Sequence, residues 1–98
     1  MQINIKGRHN LVIPQDLKDY ILDKLDKVLE GLSEPVMCDV MLADARGAKS
    51  GHDKVIHINV TAGHIKNPVY VDIVTDDFFK SADLIIDKFS RALHHAKR

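Results

Sequence analysis

Six histidines are the most obvious candidates for metal chemistry in this 98-residue sequence. His94 and His95 are adjacent, so they point to different sides of a helix. The other four occur in separate segments, at His9, His52, His57 and His64. None of them forms the HxH, HxxxH or CxxC groupings that metal sites in proteins use. The sequence therefore predicts no metal site, unless the fold brings distant histidines together.

The sequence supports neither a catalytic nucleophile nor a nucleotide-binding loop. No serine lies in a GxSxG context, and the scattered glycines form neither GxGxxG nor GxxxxGK. Asp76 and Asp77 can cap a helix, and Asp87 can pair with Arg91 four residues later, so these carboxylates need no catalytic role. We predict that the protein is not an enzyme and that it takes no cofactor or small-molecule substrate.

Surface charge is the remaining chemistry, and it is most organised in the last stretch, 75–98. Apolar residues recur there at the spacing of an amphipathic helix, at Phe78, Ala82, Ile85, Ile86, Phe89, Leu93 and Ala96. At ~100° per residue, an arc of roughly 80° on the opposite side carries a basic stripe of Lys80, Lys88, Arg91, His95 and Arg98. Lys97 adds a further cation. We interpret the stripe as an RNA-contacting surface; the alternative is a solvated helix end whose cations complement the helix dipole.

Further cations lie near two predicted loops. Lys6 and Arg8 are at the end of the first strand, and Arg46 and Lys49 lie in the segment 44–53. All four side chains suit contacts with RNA phosphates. We include them among the candidate RNA-binding residues on charge alone.

The first predicted helix carries charge of the opposite sign to that of the basic stripe. Its outward side is acidic, with Asp16, Asp19, Asp23, Asp26 and Glu30. Lys24 and Lys27 lie on one flank, between that side and the apolar side. An acidic side would be held away from RNA and would orient the domain. A net charge of zero, from 14 basic and 14 acidic residues, is therefore compatible with RNA binding.

The elements that position these residues follow from the hydrophobic period. Alternation predicts strands over 2–6, 36–43, 54–62 and 69–73, and three- to four-residue spacing predicts helices from Pro14 to Gly31 and over 75–98. We expect Thr75 or Asp76 to cap the last helix. The segment 44–53 contains two glycines and is predicted to be a mobile hairpin loop.

These elements predict an α+β fold. Each helix and each strand has one apolar face, which favours a two-layer sandwich with both helices on one face of a four-stranded sheet and the other face polar and open. The helical crossover would make the first two strands parallel if they are neighbours. The remaining connections are short enough for antiparallel hairpins.

Length and composition bound the protein class. Ninety-eight residues predict a single domain, 1–98. The longest apolar run is interrupted by Asp39 and is far shorter than the ~20 residues that span a bilayer, so no membrane partner is expected. The N-terminus lacks the apolar segment of a signal peptide, which predicts a cytoplasmic protein. Cys38 lies in an apolar run and is predicted to be a buried structural thiol.

Three segments resemble one known family. MQINIKGRH is similar to its first strand and loop, and LKDYILDKLDKV to its first helix, including Lys24 and Lys27. DDFFKSADLIIDKFSRAL resembles its pattern of Asp, two hydrophobic or aromatic residues, Asp, then Ile-Asp-Lys and Arg-x-Leu. The matching residues are Asp77, Phe78, Phe79, Asp83, Ile86, Asp87, Lys88, Arg91 and Leu93. The family is that of the ribosome hibernation promoting factors, also called ribosome-associated inhibitors or sigma-54 modulation proteins.

The resemblance implies a β-α-β-β-β-α fold layered like a double-stranded RNA-binding domain. It implies docking on the small ribosomal subunit and its ribosomal RNA, in the channel of messenger and transfer RNA, so that translation is inactivated in stationary phase or stress. The implied mechanism is steric, with Lys24, Lys27, Lys88 and Arg91 on RNA phosphates and an affinity that falls with salt. We expect a short-form member that is monomeric off the ribosome; whether it pairs ribosomes or keeps them single stays open.

The sequence departs from the family at two places. Ile13 stands where the family often has a hydroxyl cap, although Pro14 partly compensates by removing one unsatisfied N–H. HIKNPVYVDIVT lacks the usual glycine-rich approach to the last helix.

Two other functions stay open at this point. One is a protein-interaction module that modulates a sigma factor or another protein through the open sheet face, with Met37, Met41, His57 and Tyr70. The other is a general double-stranded RNA binder outside the ribosome.

Overall fold

Within the described residues, the chain forms four β-strands and two α-helices in the predicted order β-α-β-β-β-α. The structure is a computed structural model, and it describes residues 1–32, 34–45, 53–63 and 65–96. The strands are β1 (Gln2–Gly7), β2 (Val36–Asp44), β3 (Lys54–Ala62) and β4 (Val69–Thr75), and the helices are α1 (Gln15–Leu29) and α2 (Phe78–Ala96). A short 3-10 turn, Arg8–Asn10, follows β1.

The strands form one sheet in the order β1-β2-β3-β4. β1 runs parallel to β2, with Gln2 opposite Met37, because α1 carries the chain across between them. β2 pairs antiparallel with β3, and β3 pairs antiparallel with β4. The predicted connection types are therefore confirmed.

The core lies between the sheet and the two helices. Alternate strand residues such as Cys38, Val40 and Ile58 are buried, and they join one cluster with the apolar faces of both helices. The helical members are Leu17, Ile21, Leu25 and Leu29 from α1, and Ala82, Ile85, Phe89 and Leu93 from α2. The other sheet face carries more exposed residues, such as Met37 and Tyr70. The predicted α+β two-layer sandwich with an open sheet face is confirmed.

Cys38 is fully buried in this core, as predicted. Burial, with a smaller contribution from the negative charge of Asp39, raises the pKa of its thiol to about 12. The thiol is therefore protonated at neutral pH, which makes it a poor nucleophile.

The N-terminal cap of α2 corrects the sequence prediction, because it is Asp77 and neither Thr75 nor Asp76. The Asp77 carboxylate accepts a hydrogen bond from the backbone N–H of Lys80 at 3.3 Å, and its carbonyl accepts the N–H of Ser81 at 2.9 Å. Thr75 is still the last residue of β4, and its side chain points inward, where its hydroxyl contacts Ser81 Oγ at 2.6 Å. Thr75 Oγ1 does accept a backbone N–H, that of Asp77 at 3.1 Å, but this donor lies before the first helical residue, Phe78.

The start of α1 also differs slightly from the prediction, because Pro14 precedes the helix and Gln15 is its first residue. The carbonyl of Pro14 accepts the N–H of Lys18 at 3.0 Å. Residues 46–52 of the predicted mobile loop lie outside the described residues; at its base, Ala45 donates its N–H to the Asp53 carbonyl at 2.8 Å. Of the described helices, none is long and apolar enough to cross a membrane.

Candidate nucleic-acid interface

The basic stripe of α2 is an exposed surface. Lys80, Lys88, Arg91 and His95 are all exposed, on the side of α2 away from the buried Ile85, Phe89 and Leu93. The amphipathic period predicted this arrangement, and the structure confirms it for these four residues. Lys97 and Arg98 lie outside the described residues.

Two cations of the stripe are paired with carboxylates one turn earlier. Lys80 Nζ lies 3.0 Å from Asp76 Oδ1, and Arg91 donates to Asp87 Oδ2 at 2.8 Å. All four side chains are more than half exposed. Pairs of this kind contribute only about 0–1 kcal/mol. An RNA phosphate could therefore replace either carboxylate at little cost.

Lys88 differs from its neighbours in the stripe, because it binds a neutral group. Its ammonium donates to the backbone carbonyl of Asp72 at 3.0 Å. Asp72 belongs to β4, the last strand of the sheet, so this contact directs Lys88 to the β4 side of α2. The full positive charge of Lys88 remains available to an anion.

Lys24 and Lys27 lie on the flank of α1 that faces α2. Lys24 Nζ sits 5.4 Å from the ring centre of Tyr20, within cation–π range, and Lys27 lies 3.7 Å from Asp23. Tyr20 in turn packs edge-on against Phe79 of α2, with ring centres 5.5 Å apart. This contact places the α1 lysines beside the seam between the helices.

A carboxylate of α2 separates the α1 lysines from the basic stripe. The Tyr20 hydroxyl donates to Asp83, and this hydrogen bond is the main cause that raises the pKa of Tyr20. Asp83 therefore marks the side of α2 that faces α1. At ~100° per residue, Arg91 lies roughly 80° and Lys88 roughly 140° further around the helix. The four residues expected from the family resemblance thus form two groups, Lys24 with Lys27 and Lys88 with Arg91.

Lys6 and Arg8 form a third group at the far end of β1. Both side chains are exposed, and within the described residues neither makes an ion pair or hydrogen bond. Lys54, by contrast, lies 2.9 Å from Asp44 and 3.4 Å from Asp53, and the bond to Asp44 is the main cause that raises the pKa of Lys54. The predicted residues Arg46 and Lys49 lie outside the described part of the chain.

A cleft of about 720 Å³ opens beside Arg8. Its apolar lining includes Leu11, Val12, Ala43 and Val55, and Arg8 and His57 are among its polar residues. Ala43, Val55 and His57 belong to the open side of the sheet, because their neighbours in β2 and β3 point into the core. The cleft is therefore on the opposite side of the sheet from the helices.

The turn after β1 forms one wall of the cleft. His9 and Asn10 adopt left-handed backbone conformations, with φ of 53° and 61°. A Cβ at Gly7 would lie 2.2 Å from the carbonyl oxygen of Leu11, so only glycine lets the chain fold back this closely. The sequence patterns did not predict this wall. In the sequence its only sign is an apolar residue, Val12, in a segment without a strand or helix period; Val12 is 84% exposed in the structure.

An aromatic pair continues the surface from the cleft across the sheet. His57 and Tyr70 have ring centres 5.8 Å apart at 31°, and the Tyr70 hydroxyl contacts His57 Nδ1. His57 Nδ1 also lies 4.0 Å from the Asp72 carboxylate. Partial burial, then Asp72, raise the pKa of Tyr70, whereas the positive charge of Arg8 opposes the rise. Arg8, His57, Tyr70 and Asp72 are therefore one electrostatic group.

In the segments that the structure describes, no three His, Cys, Asp or Glu residues are grouped so that they could hold a metal ion. The arrangement is instead suited to binding anions and flat rings through cations and exposed aromatic side chains.

Comparisons with known proteins give matches for both the sequence and the fold. A family model described as Sigma 54 modulation protein / S30EA ribosomal protein matches residues 3–98. A search among curated proteins gives no match. Two solved structures cover nearly the whole chain and share its fold. A ribosomal subunit interface protein from Coxiella burnetii has a TM-score of 0.78 and 19% sequence identity, covering 99% of this chain and 98% of that one. The N-terminal domain of Thermus thermophilus Protein Y has a TM-score of 0.74 and 25% identity, covering 100% and 98%.

Proposed function

The chain belongs to the Sigma 54 modulation protein / S30EA ribosomal protein family, that of the hibernation promoting factors, and we propose that it inactivates ribosomes by binding the small subunit. We place the protein in the channel of messenger and transfer RNA, in the cytoplasm, and its action in stationary phase or stress. The match of the family model to residues 3–98 carries this proposal. The name of the Coxiella burnetii protein, a ribosomal subunit interface protein, is consistent with it.

The proposed mechanism is steric occupation with no covalent step. Exposed cations of α2 would contact ribosomal RNA phosphates, exchanging weak pairs such as Arg91–Asp87 for RNA contacts. Lys88 needs no exchange with a carboxylate, because its partner is a backbone carbonyl. The acidic outward side of α1 would be directed away from the RNA. Binding of this kind releases counterions and weakens as salt rises.

Co-sedimentation with ribosomes and with separated subunits tests this proposal. We expect the purified chain to sediment with the small subunit and with intact ribosomes at low salt, and to be lost progressively as salt rises. A chain that stays at the top of the gradient at low salt would overturn the proposal. Sedimentation with the large subunit alone would overturn the proposed placement of the chain on the small subunit.

A further inference from the structure

The cleft beside Arg8 has the size and the lining of a small-ligand site. Its volume of about 720 Å³ lies within the ~300–1,000 Å³ typical of such sites. Leu11, Val12 and Val55 provide apolar surface, while Arg8 and His57 provide polar groups. The cleft also holds the carboxylate of Asp44, which is paired with Lys54 at 2.9 Å. A nucleotide has the matching composition, with a flat ring that suits apolar contact and an anionic phosphate that suits a guanidinium.

The charges beside the cleft are available, unlike most of those on α2. The side chains of Arg8 and Lys6 have no hydrogen-bonding or ion-pairing partner among the described residues, whereas those of Lys80 and Arg91 are paired at 3.0 and 2.8 Å. A phosphate at Arg8 would displace no carboxylate. It would also gain a charge-assisted hydrogen bond, which is among the stronger contacts in proteins.

The open sheet offers further contacts in line with the cleft. Tyr70 is 56% exposed, and its ring lies beside His57 of the cleft. Exposed aromatic rings on an open sheet are the usual platforms for bases of single-stranded RNA. Asn59 is directly opposite Tyr70 in β3 and adds a polar side chain that can hydrogen-bond a base edge.

Polar rows divide the apolar residues of this face, which a protein partner would favour as one continuous patch. Met37 and Val74 are 46% and 45% exposed and lie at opposite ends of the face. Val74 is directly opposite Val55 and extends the apolar lining of the cleft, whereas Met37 lies apart from it. The register places two rows between them, which include Asp39 with Asn59 and Met41 with His57. The face therefore combines cations, a cleft and an exposed aromatic ring, with polar rows between its apolar residues. This combination fits a nucleic acid better than an apolar protein surface.

We infer that the open sheet face is a second RNA-binding surface, which takes a single-stranded segment with one nucleotide in the cleft, its phosphate on Arg8 and a neighbouring base on Tyr70. This surface is on the opposite side of the sheet from α2 and does not depend on the proposed docking of the helices. It gives the protein two RNA contacts, one on each face.

An NMR titration of the full chain with an eight-nucleotide single-stranded RNA of mixed sequence tests the inference. We expect the largest amide shifts between Arg8 and Val12 and at Val55, His57 and Tyr70. Shifts confined to α2, or none at low salt, would overturn it. The same shifts with a nucleoside monophosphate at equal concentration would contradict a single-stranded segment and indicate a free nucleotide.

Variants measured by fluorescence anisotropy with the same RNA sharpen the test. Arg8→Gln and Tyr70→Leu should each weaken binding about tenfold, because one loses the phosphate contact and the other a stacking surface. Lys66→Gln removes one exposed cation outside the cleft and should change the affinity less than twofold. Equal losses in all three variants would mean non-specific attraction and would reject the site. An unchanged amide spectrum of each free variant verifies folding.

The two proposals fail separately in these experiments. A wild-type chain that sediments with ribosomes but leaves the short RNA unbound would reject the sheet-face surface and retain the proposed function. A chain that binds the short RNA through the cleft but does not sediment with ribosomes would reject the proposed function and retain the sheet-face surface. A third outcome is a chain that binds no RNA but captures a protein, with the capture abolished by Tyr70→Leu. This outcome would favour a protein partner such as a sigma factor and would reject the inference.

Discussion

The cations of α2 and those at the end of β1 have similar exposure but different surroundings. On α2, Lys80 and Arg91 each lie one turn after an aspartate and pair with it. At the end of β1, Lys6 and Arg8 have no partner within the described residues. A helix brings residues four apart together, whereas a strand followed by a tight turn points its side chains into solvent.

This difference shows that an exposed cation is not always free to bind an anion. An anion that binds Lys80 or Arg91 of α2 competes with the carboxylate already in contact with that cation, and its affinity reflects the competition. An anion at Arg8 meets no such competition. We therefore expect substitutions of the α2 carboxylates to strengthen RNA binding. Among the described residues no carboxylate pairs with Arg8, although Asp44, which is paired with Lys54, lines the same cleft.

The largest effect is expected from reversing the charge of the stripe. Lys88→Glu combined with Arg91→Glu should weaken ribosome binding about a hundredfold, because two contacts to phosphate are lost. Quantitative co-sedimentation measures the effect. The matched control is Lys18→Glu combined with Lys66→Glu, which reverses two charges outside the three groups of candidate residues. Equal losses in both double variants would show that only the total charge matters.

A smaller gain is expected when a competing carboxylate is removed. Asp87→Asn frees Arg91 from its pair and should raise the affinity for ribosomes about threefold, within the range of a surface ion pair. Asp26→Asn removes a charge from the acidic side of α1 and serves as the control, with little change expected. A gain of the same size in both variants would assign the effect to net charge instead of to the pair.

Stability should show the same contrast between the two regions. Arg91→Gln loses an i,i+4 pair and should lower the free energy of unfolding by about 0.3–0.5 kcal/mol, whereas Arg8→Gln should leave it unchanged. Urea unfolding at low salt measures both. A larger loss for Arg8→Gln would mean that Arg8 has a structural partner, which would contradict its availability for an anion.

The contact between the helices at Tyr20 and Asp83 is expected to have a small, pH-dependent effect on stability. The bond to Asp83 raises the pKa of Tyr20 above its ordinary value of 10.0, so the fold favours the protonated phenol. This contribution is present below pH 10 and is lost as the pH rises through the raised pKa. Tyr20→Phe should therefore be less stable than the wild type at pH 8, and the difference should narrow at pH 11. A difference that does not change with pH would exclude this contribution.

Much of the fold could be predicted from the sequence because its periods are regular. Strict alternation in 36–43 and 54–62 gave the inward residues Cys38, Val40 and Ile58, and helical spacing gave the buried face of α2. The cap of α2 was predicted wrongly because Thr75, Asp76 and Asp77 all carry suitable oxygens. Only the position of the first helical residue decides between them.

The candidate site could be predicted only in part. Helical geometry is local, so the stripe of α2 followed from spacing. The contact of Tyr20 with Phe79 and Asp83 joins residues about sixty positions apart, and only the packing of the helices reveals it. The cleft depends on the left-handed turn at His9 and Asn10, which neither residue type dictates.

Competition on the small subunit tests the central claim most directly. Small subunits would be loaded with labelled messenger RNA and initiator transfer RNA, and the chain would be added at increasing concentration. The proposed occupation of the channel predicts that the wild-type chain displaces both RNAs, and that the Lys88→Glu and Arg91→Glu double variant does not. Simultaneous binding of the chain and both RNAs to the same subunits would contradict steric inactivation.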